Sequence, residues 1–262
     1  MAGVCCHRGA RPRREGKAHM ASAIIVGANG RMGRLLEQAL LETGDFDTVH
    51  GYDVDTIAEL DAEAPAADLV VDFSRPTAVP HVAAYVRRTG AALVSGTTGM
   101  SSDDLAALRA LGEAAPVVWS GNYSLGVAAL RHATRLVSEA LPGWDAEIVE
   151  THHNLKADAP SGTAKMLVAE VDPAGERPVV YGREGMVGER PAGEIGVHSL
   201  RGGTVAGTHE VHFFGPDEEV CLTHRATSRQ IFVNGAVAAA RRLLKRPAGF
   251  YTFDDLMFAT GE

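Results

Sequence analysis

The sequence predicts an α/β protein, with a doubly wound parallel sheet in its first half and a second, α+β domain after it. Three observations carry this expectation. Short continuous apolar runs alternate with helical patterns up to about residue 120, as in parallel strands covered on both faces. A glycine cluster joins the first apolar run to the first helix. Past about residue 145 the texture changes to strands close together in sequence, joined by glycine-containing turns.

The first strand is Ala23-Ile24-Ile25-Val26, ending in Gly27. The helix after it places Met32, Leu35, Leu36, Ala39, Leu40 and Leu41 on its apolar positions. Strands follow at 48–53, 68–73, 91–95 and 116–120, with helical stretches at 77–89 and 101–114. In the second half, 145–150 reads as a strand and 162–171 as a helix. Residues 172–194, rich in Pro and Gly, read as one long loop. Residues 195–200, 204–214 and 219–225 read as strands of a sheet built from sequence neighbours. An apolar helix over 228–244 returns the chain to the first domain. The expected domains are 21–124 plus 235–262 and 125–234, preceded by a leader over 1–20 that is disordered or an upstream translation.

Composition narrows the function. Of 262 residues, 45% are hydrophobic and 22% charged, which argues against a disordered, collagen-like or disulfide-stapled chain. Net charge is −8, but residues 1–19 hold Arg8, Arg11, Arg13, Arg14 and Lys17 against Glu15 alone. Taking those from 25 basic and 33 acidic residues leaves 20 against 32 in the body. A body this acidic is a poor partner for nucleic acid. No run approaches the roughly 20 apolar residues that span a bilayer, so no membrane partner is expected. Cys5 and Cys6 lie in the leader and leave Cys221 alone, which fits a reducing, cytoplasmic setting. Cys221, between Val220 and Leu222, reads as a small core hydrophobe. Trp119 and Trp144 read as packing residues.

Three constellations bear chemistry. The first is Gly27-Ala28-Asn29-Gly30-Arg31-Met32-Gly33, between strand and helix. Its glycines admit a pyrophosphate close to the backbone, and the helix N-terminus favours the anion's charge. Asp53, 20 residues past Gly33 and at the end of the second strand, suits an adenosine ribose hydroxyl. A carboxylate there disfavours a 2′-phosphate and the next residue is Val54, so NADH is favoured over NADPH, although Arg31 and Arg34 offer positive charge. The second constellation is Gly96-Thr97-Thr98-Gly99 after the fourth strand, with Ser120-Gly121-Asn122-Tyr123 in the same place after the fifth. Loops at the C-terminal ends of parallel strands form the ligand crevice.

The third and most specific runs from Glu150-Thr151-His152-His153 through Lys156 and Asp158 to Ser161-Gly162-Thr163. Two histidines and a lysine lie within five residues, beside a helix start whose free N–H groups can bind an anion. Proton donors beside an anion site suit reduction of a small carboxylated substrate. No H-E-x-x-H or paired-cysteine motif occurs, and no metal is expected. His209, His212 and His224 are expected on strand faces of the second sheet. His209 and His212, three apart, should face opposite sides.

These motifs resemble those of the dihydrodipicolinate reductase family. The resemblance covers residues 22–258, and its most specific part is the H-H-x-x-K-x-D-A-P-S-G-T run. It implies a Rossmann-like nucleotide domain and a mixed-sheet domain that binds substrate and builds a homotetramer. It implies reduction of a cyclic dicarboxylic imine by NADH or NADPH in the diaminopimelate route to lysine. Residue by residue, it implies His152 as proton donor or acceptor and Lys156 as proton donor. His153, Gly162 and Thr163 match positions that bind the substrate carboxylate. Gly27, Ala28, Asn29, Gly30, Arg31, Met32, Asp53, Gly96, Thr97, Thr98, Ser120, Gly121, Asn122 and Tyr123 match cofactor contacts. Tyr123 departs from the phenylalanine usual at its position. Two other readings stay open to the residues: another Rossmann amino-acid or semialdehyde dehydrogenase, and a non-enzymatic NAD-sensing module.

Overall fold

The computed structural model describes residues 20–258. The leader expected over 1–20, with Cys5 and Cys6, lies outside these apart from Met20. The first sheet has six parallel strands in the order β11-β5-β4-β3-β1-β2. These are β1 (Ala21–Val26), β2 (Phe46–Tyr52), β3 (Leu69–Asp72), β4 (Ala92–Ser95), β5 (Pro116–Trp119) and β11 (Gly249–Tyr251). Helices α1 (Arg31–Glu42), α7 (Gln230–Leu243) and α8 (Phe253–Phe258) cover one face. Helices α2 (Ile57–Ala62), α3 (Val79–Thr89) and α4 (Ser102–Leu111) cover the other.

This double cover explains the continuous apolar runs. Ala23 and Ile25 of β1 enter the core under α1 and α7, while Ile24 and Val26 enter the core under α3. Leu69 and Val71 alternate with Val70 in the same way. Each strand therefore needs apolar side chains at both parities.

The second sheet is mixed, in the order β10-β9-β6-β8-β7. It holds β6 (Asp145–His152), β7 (Val179–Tyr181), β8 (Ile195–Arg201), β9 (Gly207–Gly215) and β10 (Glu218–Ala226). β6 is antiparallel to β9 but parallel to β8, and β8 is parallel to β7. Helices α5 (Leu125–Ala140) and α6 (Gly162–Val171) pack on one face. There Leu130, Ala164 and Leu167 meet Ala146, Ile148, Val197, Val211 and Phe213.

Four expectations need correction. A sixth strand, β11, completes the first sheet; at three residues it is too short to leave a periodic signal. The long loop expected over 172–194 contains β7. The second sheet is not built only from sequence neighbours, because β6 sits between β9 and β8, and only β9 and β10 form a hairpin. Cys221 is exposed rather than a core residue. It lies on the face of β10 away from α5 and α6, opposite His212, because its alternation and not its apolar neighbours sets its direction. Trp119 and Trp144 are partly buried against the two cores, as expected.

Candidate active site

The glycine loop lies at the C-terminal end of β1, where the sheet order reverses between β1 and β3. That reversal opens a crevice beyond the strand ends. It has a volume of about 450 Å³ and is lined by Gly27, Gly30, Arg31, Met32, Asp53, Val54, Phe73, Ser74 and Arg75 among others. Gly27 has φ +85°, and a Cβ there would stand 2.8 Å from the Phe73 carbonyl oxygen. A Cβ at Gly33 would overlap the Gly27 carbonyl, so only glycine lets α1 approach the loop. Gly30 caps α1 without a side-chain hydrogen bond, and no acid stands in the first turn. The free N–H groups of that turn therefore remain for an anion. Asp53 follows β2 and accepts hydrogen bonds from the Asn29 amide (2.8 Å) and its own Val54 amide (2.9 Å). This places its carboxylate at the crevice rim.

Asp72, at the end of β3, organises the neighbouring loops. It is fully buried. Its oxygens accept from the Ser74 hydroxyl and amide, the Ser95 hydroxyl and the Thr97 hydroxyl. Burial pushes its carboxyl pKa up, and the hydrogen bonds only partly oppose this. Gly96 and Thr97 are thereby held beside the glycine loop, while Thr98 is exposed. The Trp119 indole N–H donates to the Thr97 carbonyl (2.9 Å). After β5, Ser120 and Asn122 form a tight turn through the Ser120 hydroxyl, and Gly121 is exposed. Tyr123 is buried, and its hydroxyl donates to the Ser95 carbonyl (2.8 Å). The oxygen that a phenylalanine would lack is therefore satisfied, and the Tyr123 ring belongs to the core.

The histidine segment runs from the end of β6 to the start of α6. His152 is the last residue of β6 and is half-buried. Its Nδ1 lies 2.5 Å from Glu150 Oε2. The backbone turns over His153 to Lys156, where the Lys156 amide donates to the His153 carbonyl (3.1 Å). This turn is tied to the loop after β8 by Asn154 N–H to the Gly203 carbonyl and Gly202 N–H to the His152 carbonyl. Lys156 Nζ reaches Asp158 at 2.8 Å. Ser161 caps α6 through its hydroxyl, which accepts from the Ala164 amide, and no acid stands in the first turn. Gly162 is exposed, while Thr163 is buried and accepts from Asn122 Nδ2 (2.9 Å).

The electrostatics follow from burial and a dense set of donors. Burial alone would raise the Glu150 pKa, but hydrogen bonds from Arg201 and His152 hold it down to about 2. Burial lowers the His152 pKa, and Glu150 opposes that while Lys156 and Arg201 add to it. His209 is buried below His152, with ring centroids 5.2 Å apart and a 74° interplanar angle. Burial, and then the charge of His152, push its pKa down to about 4. Its Nε2 lies 3.0 Å from the Ser161 hydroxyl.

Reasoning from the sequence placed Glu150 at the head of the histidine segment without giving it a role, and it missed Arg201, His209 and Asp72 as parts of the site. Acids ending apolar strands could have pointed to Asp72 and Glu150. No local signal marks Arg201 or His209, which arrive from β8 and β9. His209 and His212 do face opposite sides of β9, one buried and one not. Among the described residues, one group sets metal-ligating side chains close together: His212, Glu219 and Cys221, within 4.8 Å on the exposed sheet face. There His212 Nδ1 is hydrogen-bonded to Glu219 at 2.5 Å.

Comparison with known proteins places both halves of the chain in one family. Residues 21–123 match the model for the dihydrodipicolinate reductase N-terminus, and residues 126–257 that for the C-terminus. A 4-hydroxy-tetrahydrodipicolinate reductase from Caldanaerobacter subterraneus is 37% identical, covering 91% of this chain and 98% of that protein. The protein of that name from Akkermansia muciniphila is 41% identical over the same shares. Among solved structures, the dipicolinate-bound dihydrodipicolinate reductase from Paenisporosarcina sp. TG-14 superposes with a TM-score of 0.71 at 20% identity. That match covers 91% of this chain and all of the other, and supports the fold. A two-domain α/β architecture, a glycine-lined crevice and a histidine segment closed by a helix start thus coincide with matches across both halves, and the chain belongs to the dihydrodipicolinate reductase family.

Proposed function

We propose that this protein uses NAD(P)H to reduce the cyclic dicarboxylic imine derived from 4-hydroxy-tetrahydrodipicolinate, giving tetrahydrodipicolinate in diaminopimelate and lysine biosynthesis. One observation carries the reading. The Asn122–Thr163 hydrogen bond joins the loop beside the coenzyme crevice to the helix start beside His152. An anion held at α6 therefore lies next to the nicotinamide side of the crevice. The names of the relatives give the substrate class, and dipicolinate in the Paenisporosarcina protein is an anion of that class.

The coenzyme pyrophosphate fits Gly27 to Gly33, with Ala28, Asn29, Arg31 and Met32 along it. Its adenosine ribose fits Asp53. The nicotinamide end fits Gly96, Thr97, Thr98, Ser120, Gly121, Asn122 and the Tyr123 backbone. Bound there, NAD(P)H would supply a hydride to an electron-poor ring carbon of the substrate. The Asp53 carboxylate favours NADH, while Arg31 and Arg75 on the same crevice leave NADPH as the second coenzyme.

One substrate carboxylate takes the amides of Gly162 and Thr163, with His153 and the Lys156 ammonium as its polar neighbours. The proton that follows the hydride comes from Lys156 or His152. His152, kept largely uncharged at neutral pH by burial, accepts and returns protons at Nε2. The domains split near residues 124 and 235, with substrate between them. The uncovered face of the second sheet, bearing Leu200, Phe214 and Cys221, is the tetramer surface.

A coupled assay tests the reading. Dihydrodipicolinate synthase, pyruvate and aspartate semialdehyde generate the unstable substrate in place while NADH absorbance is followed. Loss of NADH that needs both the synthase and this protein is expected. No loss, in protein shown to bind NADH, would sink the reading.

A further inference from the structure

Glu150 heads the histidine segment without a role of its own in the sequence reading, yet, like Asp72, it meets four donors. It is fully buried, and four donors meet its two oxygens. Arg201 donates from Nη1 to Oε2 and from Nη2 to Oε1, both at 2.8 Å. The Ser161 amide donates to Oε1 at 3.1 Å. His152 Nδ1 faces Oε2 at 2.5 Å. Arg201 Nη2 also donates to the Asp158 carbonyl at 2.7 Å. One carboxylate thus holds the residue before the catalytic turn, the residue capping α6 and, through Arg201, the chain between them.

The chemistry of the acceptor settles the proton on His152. A carboxylate only accepts hydrogen bonds, so the Nδ1 it faces carries the hydrogen in neutral imidazole. Nε2 is then the free lone pair. A Cβ at Gly207 would stand 3.1 Å from that Nε2, so the glycine leaves the nitrogen open. The other charged or titratable groups around the ring are Lys156 from the turn, Arg201 from β8 and His209 from β9. None of these hydrogen-bonds a ring nitrogen of His152, so its tautomer rests on Glu150.

We propose that Glu150 is a positioning residue for the reaction: it fixes His152 in the Nδ1–H tautomer, aims Nε2 at the substrate, and sets the reach from Nε2 to the α6 anion site. The proposal rests on the reading that His152 exchanges the proton. A buried ion pair with Arg201 could be retained for folding alone, so the test needs a readout that a purely structural role does not move.

The test uses full-length protein with 15N-labelled histidine, as wild type, Glu150→Gln, Glu150→Asp and His152→Ala. The His152 ring signals are assigned by their loss in His152→Ala. Wild type should show the Nδ1–H tautomer at pH 8. Glu150→Gln should move it toward the Nε2–H form and lower kcat between tenfold and the roughly 10²–10⁴-fold cost of losing the acid–base group itself. The KM for NADH should stay unchanged. Glu150→Asp keeps the acceptor charge and should restore the tautomer and part of kcat. An Nε2–H tautomer in wild type would overturn the proposal, even should Glu150→Gln fail to fold. So would a Glu150→Gln protein with wild-type tautomer and kcat. Full activity in His152→Ala would instead remove the underlying reading, while the ring signals would still report whether Glu150 sets the tautomer.

Discussion

Asn122 donates from Nδ2 to the Thr163 hydroxyl at 2.9 Å, across 41 residues of sequence. Asn122 is itself held, since its Oδ1 accepts from the Ser124 amide at 2.8 Å. The bond therefore sets where the first turn of α6 stands relative to the coenzyme crevice.

Thr163→Val keeps the side-chain shape and removes that acceptor. The unpaired Asn122 amide and the shifted helix start should raise KM for the dicarboxylate about tenfold, as expected for losing 1–2 kcal/mol of oriented binding. The Kd for NADH, measured by fluorescence titration, should change less than twofold. An unchanged substrate KM would remove Thr163 from the anion site.

His152→Ala should lower kcat by about 10²–10⁴, the usual cost of losing an acid–base group. NADH binding should stay near normal, because His152 lies at the end of β6 and outside the glycine crevice. Steady-state kinetics with both substrates varied will separate the two effects.

Gly33→Ala places a methyl group against the Gly27 and Ala28 carbonyls. The loop must move away from α1 at a cost of about 1–3 kcal/mol. A lower Tm and at least a tenfold weaker Kd for NADH are expected, whereas a Gly44→Ala control near the far end of α1 should leave the Kd unchanged. Equal NADH binding in Gly33→Ala and wild type would contradict a pyrophosphate at this loop.

Asp53→Ser removes the carboxylate that disfavours a 2′-phosphate. The ratio of kcat/KM for NADPH over NADH should rise at least tenfold, largely through KM. A ratio that does not move would place coenzyme choice with Arg31 and Arg75 instead.

His209 makes stability depend on pH. Its folded pKa is about 4, below the ordinary 6.5, because burial favours the neutral ring. On acidification the unfolded chain takes up this proton first. Stability from this group is therefore complete above about pH 6.5 and is lost as pH falls toward 4. The loss is roughly 3 kcal/mol. Thermal melts should show Tm falling over that window, and His209→Gln should flatten the slope. The depressed Glu150 carboxylate acts lower, its contribution being lost as pH falls from about 4.5 toward 2.

The first sheet was legible because its strands are buried on both faces, so Ile24, Ile25, Val70 and Val71 form runs that need no partner to be recognised. The glycine loop was legible for a related reason: Gly27 and Gly33 answer contacts made within a few residues of themselves or with the next strand over. The histidine segment could be found because His152, His153, Lys156 and the Ser161–Thr163 helix start are contiguous in sequence.

The sequence by itself therefore determined the α/β class, the glycine loop and the contiguous segment to which we assign the proton chemistry. The tertiary structure alone decided that β6 lies between β9 and β8, which no local pattern specifies because strand pairing is a long-range choice. That placement brings Arg201 and His209 to either side of β6, around Glu150 and His152. A buried carboxylate must find its donors wherever the fold supplies them, and here they come from residues 51 and 11 positions away.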